Sequence, residues 1–179
     1  MSGHNKWAQI KHKKAITDSK KSKIFSKLVR FISVEAKLAN GDINAPGLRA
    51  AIEKAKKVNM PALNIEKAIK KASEPSTQMD SITYEAYGPG GVGIIIETLT
   101  DSKNRTAQDI KHILSKNGFA LANIGSVLWS FNKEKTEEGI IWKPNMLIPV
   151  SDEDLVLLDK LVDELEENDD VQDVYTNAE

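Results

Sequence analysis

The chain contains no cysteine. Disulfide staples and thiolate metal sites are therefore excluded, and three scattered histidines are too few ligands for a zinc centre of the usual kind. The absence fits a reducing compartment, and a cytoplasmic location is expected. Long apolar runs are lacking as well. Met1 to Asn40 has no uninterrupted apolar signal-peptide core, and no stretch approaches the roughly 20 apolar residues needed to span a bilayer, so no membrane association is expected. Spacings that suggest a Ser/His/Asp or Cys/His set are missing too, and the carboxylates near the end of the chain look like a solvated helix face. The expectation is a protein that is not an enzyme, with no cofactor, no metal and no small-molecule substrate.

What is present is a strong polarity of charge. The 179 residues, 40% of them hydrophobic, can bury one ordinary core or two small ones. The formal net charge of -1 hides two opposed halves: residues 1–74 carry 17 Lys and Arg against 6 Asp and Glu, whereas residues 75–179 carry 8 against 20. Highly charged domains can simply be solubilising themselves. A short segment with so large a positive excess repels itself, however, which favours a polyanionic partner.

The first half reads as helices. Between Asp18 and Asn40, the residues Ile24, Phe25, Leu28, Val29, Ile32 and Ala36 share one face, and Gly41 supplies a left-handed stop. Leu48 to Asn59 and Asn64 to Ala72 repeat the pattern, giving a small helical bundle over residues 1–74. Residues 75–81 turn to Pro, Ser, Thr and Gln without periodicity and read as a linker. From 82 to 179 the pattern changes: strand at Val92 to Leu99, helix at Thr106 to Asn117, strands at Ser126 to Phe131 and Ile140 to Val150, helix at Asp152 to Asn168, strand at Val171 to Tyr175. The fold class is α+β, a helical bundle followed by a ferredoxin-like βαββαβ domain that is acidic overall.

On a helical wheel, Lys20, Lys23, Lys27, Arg30 and Lys37 form a stripe opposite the apolar face, about 25 Å long at 1.5 Å per residue. That length can follow several phosphates. Lys54 with Lys57, and Lys67 with Lys70 and Lys71, add cations on the other helices. Ahead of them, His4, Lys6, Trp7, Lys11, His12, Lys13 and Lys14 interleave cations with an aromatic ring, a mixture suited to phosphate contact with base stacking; Trp7 and Ile10 equally fit a staple onto the bundle. Lysines bind phosphate as point charges, so backbone and shape contacts are expected more than base reading.

Two further motifs stand in the second half. Gly88 to Gly93 spells G-x-G-x-x-G, but it precedes a strand instead of opening a helix, so a dinucleotide site is rejected. Thr100 to Thr106 is densely polar and is either a turn with an N-cap or, through Lys103, Asn104 and Arg105, a phosphate contact at a helix N-terminus.

These motifs together resemble the YebC family. The resemblance rests on Gly3 to Trp7, Lys11 to Lys14, Lys23 to Leu28, Ala51 to Lys56 with Asn59-Met60-Pro61, Tyr87 to Val92, Thr100-Asp101 with Asn104-Arg105-Thr106, Gly125-Ser126-Val127 and Asp170 to Glu179, in order along nearly the whole chain. It implies a regulator of gene expression: members are described as probable transcriptional regulators, as mitochondrial translational activators, and as ribosome-bound aids to elongation through proline-rich stretches. Family members usually carry an additional α+β domain between the segments here ending near Phe131 and resuming near Ile140; residues 132–139 stand in its place. The expected partners are thus nucleic acid, ribosomal RNA ahead of DNA, and the ribosome. The alternatives are a DNA-binding transcription factor and a protein-interaction adaptor whose two charged domains associate.

Overall fold

The computed structural model describes residues 18–72, 79–136 and 139–179. Three helices come first: α1 (Asp18–Leu38), α2 (Pro46–Lys57) and α3 (Ala62–Ala72). The first two stop where the sequence permits a left-handed residue. Asn40 and Gly41 have φ of 50° and 80°, and the Gly41 N–H returns to the Ala36 carbonyl at 2.8 Å. Asn59 (φ 59°) does the same after α2, where the Met60 N–H reaches Ala55 O at 3.0 Å and the Met60 side chain is buried. This is the αL termination that satisfies orphan carbonyls and swings an apolar residue back under the helix. Ile32, Ala36, Leu48, Ala51, Ala55, Ile65 and Ala68 form the core of the bundle, and α2 and α3 both pack on α1.

The second half is built from β1 (Asp80–Tyr87), β2 (Gly93–Thr100), α4 (Lys103–Lys116), β3 (Phe131–Thr136), β4 (Gly139–Pro144), α5 (Asp152–Glu166) and β5 (Val171–Thr176). From β2 onward the order is the expected βαββαβ. The strands divide into an antiparallel sheet β1-β2-β5 and a separate hairpin β3-β4. Ile94 and Ile96 of β2 point to α4 and α5, packing with Ile110, Leu114, Leu158 and Leu161, while Ile95 points to the other face, against Val127, Phe131, Trp142 and Tyr175. Helices cover one face and the hairpin side covers the other. That explains the unbroken Ile94-Ile95-Ile96 run, because a strand buried on both faces does not alternate.

Three local expectations are corrected. β1 begins at Asp80, so the last two residues of the expected linker belong to a strand; residues 75–78 of that linker lie outside the described residues. The segment expected as a strand at Ser126 to Phe131 is a turn with a short 3-10 segment, Leu128–Ser130, and the strand starts only at Phe131. The cause is Glu85. Its buried carboxylate accepts the N–H groups of Gly125 (2.6 Å), Val127 (2.7 Å) and Leu128 (2.9 Å), so this backbone is tied to a side chain and not to a ladder. Beyond Pro144 pairing ends, leaving an isolated bridge between Ile148 and Ala178.

Candidate nucleic-acid interface

Helix α1 is committed on two sides. Its apolar face meets α2 and α3; its opposite face, which carries the cationic stripe, meets the acidic second half. Arg30 donates through Nη1 to Asp170 Oδ1 and to the Leu99 carbonyl at 3.4 Å. Asp170 is only 3% exposed and immediately precedes β5. Its other oxygen accepts from Thr106 Oγ1 at 2.7 Å and from Arg105 Nη2 at 3.1 Å, with the Thr100 hydroxyl at 3.3 Å. Burial raises the pKa of Asp170, but the hydrogen bonds from Thr106 and Arg105 and the charge and hydrogen bond of Arg30 outweigh it and hold the carboxyl below the ordinary aspartate value. One buried carboxylate thus joins α1, the end of β2, the start of α4 and the start of β5.

The remaining cations of the stripe divide. Lys23 pairs with Glu167 at 3.3 Å, a second contact from α1 to the acidic half. Lys27 is half-buried and Lys37 is exposed in the last turn of α1. For Lys20 the structure describes the backbone alone, in the first turn. The arm of His4, Lys6, Trp7, Lys11, His12, Lys13 and Lys14 lies outside the described residues.

On α2, Lys54 Nζ sits 5.5 Å from the centre of the Phe31 ring, a cation–π contact that holds the side chain across the α1–α2 seam. Lys57 is exposed. Lys56 of α2 and Lys67, Lys70 and Lys71 of α3 are exposed as well. The three lysines of α3 occupy positions i, i+3 and i+4, opposite the buried Ile65 and Ala68. Nearby carboxylates are few: Glu53 pairs with Arg49, and Glu66 is the other acid on these two helices. The bundle therefore turns one cationic surface toward the acidic half and another to solvent.

The polar segment that opens α4 is occupied internally. Lys103 pairs with Asp80 at 3.4 Å, and Arg105 pairs with both Asp101 (2.7 Å) and Asp170. The hydrogen bonds to these acids raise the pKa of Arg105 and fix its fork. The glycine-rich turn also folds inward. Gly91 N–H donates to Gly88 O at 3.2 Å, Val92 N–H to Pro89 O at 3.3 Å and Gly93 N–H to the Asn177 side chain at 2.7 Å, while Asp154 lies beside Gly90. A turn whose Gly88, Gly91, Val92 and Gly93 amides are used and whose neighbour is acidic is not arranged as an anion nest.

No local pattern marks Glu85 as an organiser. A signal for Asp170 did exist, since Thr100, Arg105 and Thr106 all belong to the motif that converges on it. Among the described residues, no group of three His, Asp or Glu side chains is placed to hold a metal ion, and no helix is long and apolar enough to cross a membrane.

Comparison with known proteins bears on this arrangement. Residues 5–75 match the model of the TACO1/YebC protein N-terminal domain, and residues 79–136 and 132–178 match that of the TACO1/YebC second and third domain. A probable transcriptional regulatory protein of Fervidobacterium nodosum is 40% identical over 235 aligned positions, covering 99% of this chain and 93% of the relative. That alignment is longer than the chain itself, so the relative carries residues that this chain lacks. A protein of the same description from Chlorobaculum parvum is 48% identical over 174 positions, covering 95% of this chain and 67% of the relative. The crystal structure of a conserved hypothetical protein from Aquifex aeolicus superposes with a TM-score of 0.86 at 33% identity, covering 97% of this chain and 96% of that one. On these matches, which run from the basic bundle through the Asp170 cluster, the chain belongs to the TACO1/YebC family.

Proposed function

We propose that this protein is a non-enzymatic regulator of gene expression that binds nucleic acid through its basic bundle and acts on translation, on ribosomal RNA, where it assists elongation. The observation that carries the reading is the exposed lysine face of α2 and α3, with Lys56, Lys57, Lys67, Lys70 and Lys71, on a bundle whose other cationic face is held by Glu167 and Asp170. Lysines at helical spacing follow a phosphate backbone without reading bases. The N-terminal arm, with His4, Lys6, Trp7, Lys11, His12, Lys13 and Lys14, extends this face in the proposal, together with Lys20, Lys27, Lys37 and Lys54; Lys103, Arg105, Lys23 and Arg30 act instead in holding the molecule together. The family's name for its bacterial members supports regulation. The choice of ribosomal RNA rests on the family resemblance, while the lack of a bidentate Arg or Asn reading set leans against sequence-specific readout of duplex DNA.

Crosslinking in cells, followed by sequencing of the bound nucleic acid, tests it. Recovery of ribosomal RNA is expected. Discrete promoter fragments would replace this reading with the second one, a DNA-binding transcriptional regulator, which the names of the relatives favour.

A further inference from the structure

The end of the sheet remote from the bundle gathers exposed apolar side chains without charge. Asp80 and Thr100 pair at the end held by Asp170, and Tyr87 and Gly93 at the opposite end, roughly 23 Å away along β1. There, Ile124 is 95% exposed, Trp129 64% and Tyr87 47%, and Met146 and Leu147 are exposed beside them. Hydrogen bonds hold the group together. Tyr87 Oη and Trp129 Nε1 both donate to the Ser126 carbonyl, each at 2.7 Å. Asn145 donates from its backbone to Ser130 O and from its side chain to Trp129 O, each at 3.0 Å, which sets Met146 next to Trp129. The polar edges of both rings are consumed inside the protein, so what they offer outward is carbon surface. The turn bearing Ile124 is itself fixed by Glu85, so a partner meets a surface already ordered.

Charge decides what kind of partner fits. Residues 87–91, 123–130 and 145–150, which make this end, contain no charged side chain, in a chain that is 28% charged. The rim is acidic: Asp154 lies against Gly90, Asp152 and Glu153 share the same first turn of α5, and Glu179 is fixed by its N–H to Ile148 O at 2.9 Å. The nearest cation along the chain, Lys143, is paired with Glu134 at 2.6 Å. Aromatic and Met side chains with charge depleted at the centre are the composition of a protein–protein interface core, and an acidic rim disfavours phosphates. We propose that this end is a docking surface for a protein segment with an apolar centre and basic flanks. The molecule would then grip nucleic acid at one end and a basic protein at the other, which goes beyond the nucleic-acid reading above and does not depend on it.

The test uses the full chain, isotope-labelled, titrated with a short synthetic peptide of leucine and phenylalanine flanked by lysines, and with the same peptide flanked by glutamates. The lysine-flanked peptide is expected to shift the resonances of Ile124, the Trp129 indole and Met146. Ile124→Ser and Trp129→Ser, and the glutamate flanks, are each expected to weaken binding about tenfold. RNA affinity should be unchanged in both variants. Shifts spread over the acidic face of α5 and indifferent to Ile124→Ser would overturn the proposal. So would loss of RNA affinity in that variant, which would give the surface to nucleic acid, or a concentration-dependent dimer that Ile124→Ser abolishes, which would give it to a second copy. Ile124 makes so little contact with the rest of the protein that its variant keeps the test open even if Trp129→Ser unfolds.

Discussion

Arg30, on the polar face of α1, donates to the buried carboxylate of Asp170, 140 residues further along the chain. The charge imbalance between the two halves is therefore satisfied in part within the molecule. A stripe that looks like a binding face on a helical wheel is, for Lys23 and Arg30, the seam between a basic bundle and an acidic sheet.

Asp170→Ala should cost about 3 kcal/mol in urea-induced unfolding, the lower end of the range for breaking a buried pair, because Arg30 and Arg105 keep access to solvent. Arg30→Ala should cost less, since Arg105 and Thr106 still satisfy the carboxylate. Equal costs would show that Arg30 alone supports Asp170.

The same site makes stability depend on acid. The folded-state pKa of Asp170 lies below its ordinary value, so its contribution is complete above about pH 4, where an unfolded aspartate is ionised, and is lost as the pH falls through the folded value. Denaturation midpoints measured from pH 6 down to pH 3 should fall less steeply in Asp170→Asn than in the wild type. Parallel curves would remove Asp170 from the account.

Much of this architecture is legible in the sequence, and the limits have physical causes. Helical periodicity and left-handed stops at Gly41, Asn59 and Gly118 delimit α1, α2 and α4 because those signals are local. β1 escapes although Ile82, Tyr84 and Ala86 alternate with Thr83 and Glu85, because Glu85 on the polar face is buried against three amides of a distant turn that no local pattern reveals. The turn at Ser126 is misread for the same reason. The helical wheel gives the side of α1 on which Arg30 lies but not what packs there, since Asp170 is brought in by tertiary structure.

Glu85→Gln should loosen the 123–128 turn without unfolding the sheet. Its amide can accept far less from three N–H groups than a carboxylate can, and charge-assisted bonds are about twice as strong as neutral ones. Hydrogen exchange at Gly125, Val127 and Leu128 should accelerate, while the β2 amides stay protected; uniform acceleration would mean that Glu85 supports the whole core.

Gly93→Ala tests the packing between β2 and this turn. A Cβ there would stand 2.7 Å from Val127 Cγ1 and 3.5 Å from the Phe131 ring, so thermal unfolding should report a loss of about 1–3 kcal/mol. A neutral result would show that the Val127 layer can move.

The most direct measurement of the proposed role is the salt dependence of affinity for a structured ribosomal RNA fragment, comparing the wild type with a Lys67→Gln, Lys70→Gln, Lys71→Gln triple variant. Each phosphate-contacting lysine contributes about 0.7 to 0.9 to the slope of log affinity against log salt. Removing three should flatten the slope by about 2 and weaken binding at low salt, with urea unfolding unchanged. An unaltered slope and affinity in the folded triple variant would contradict the account.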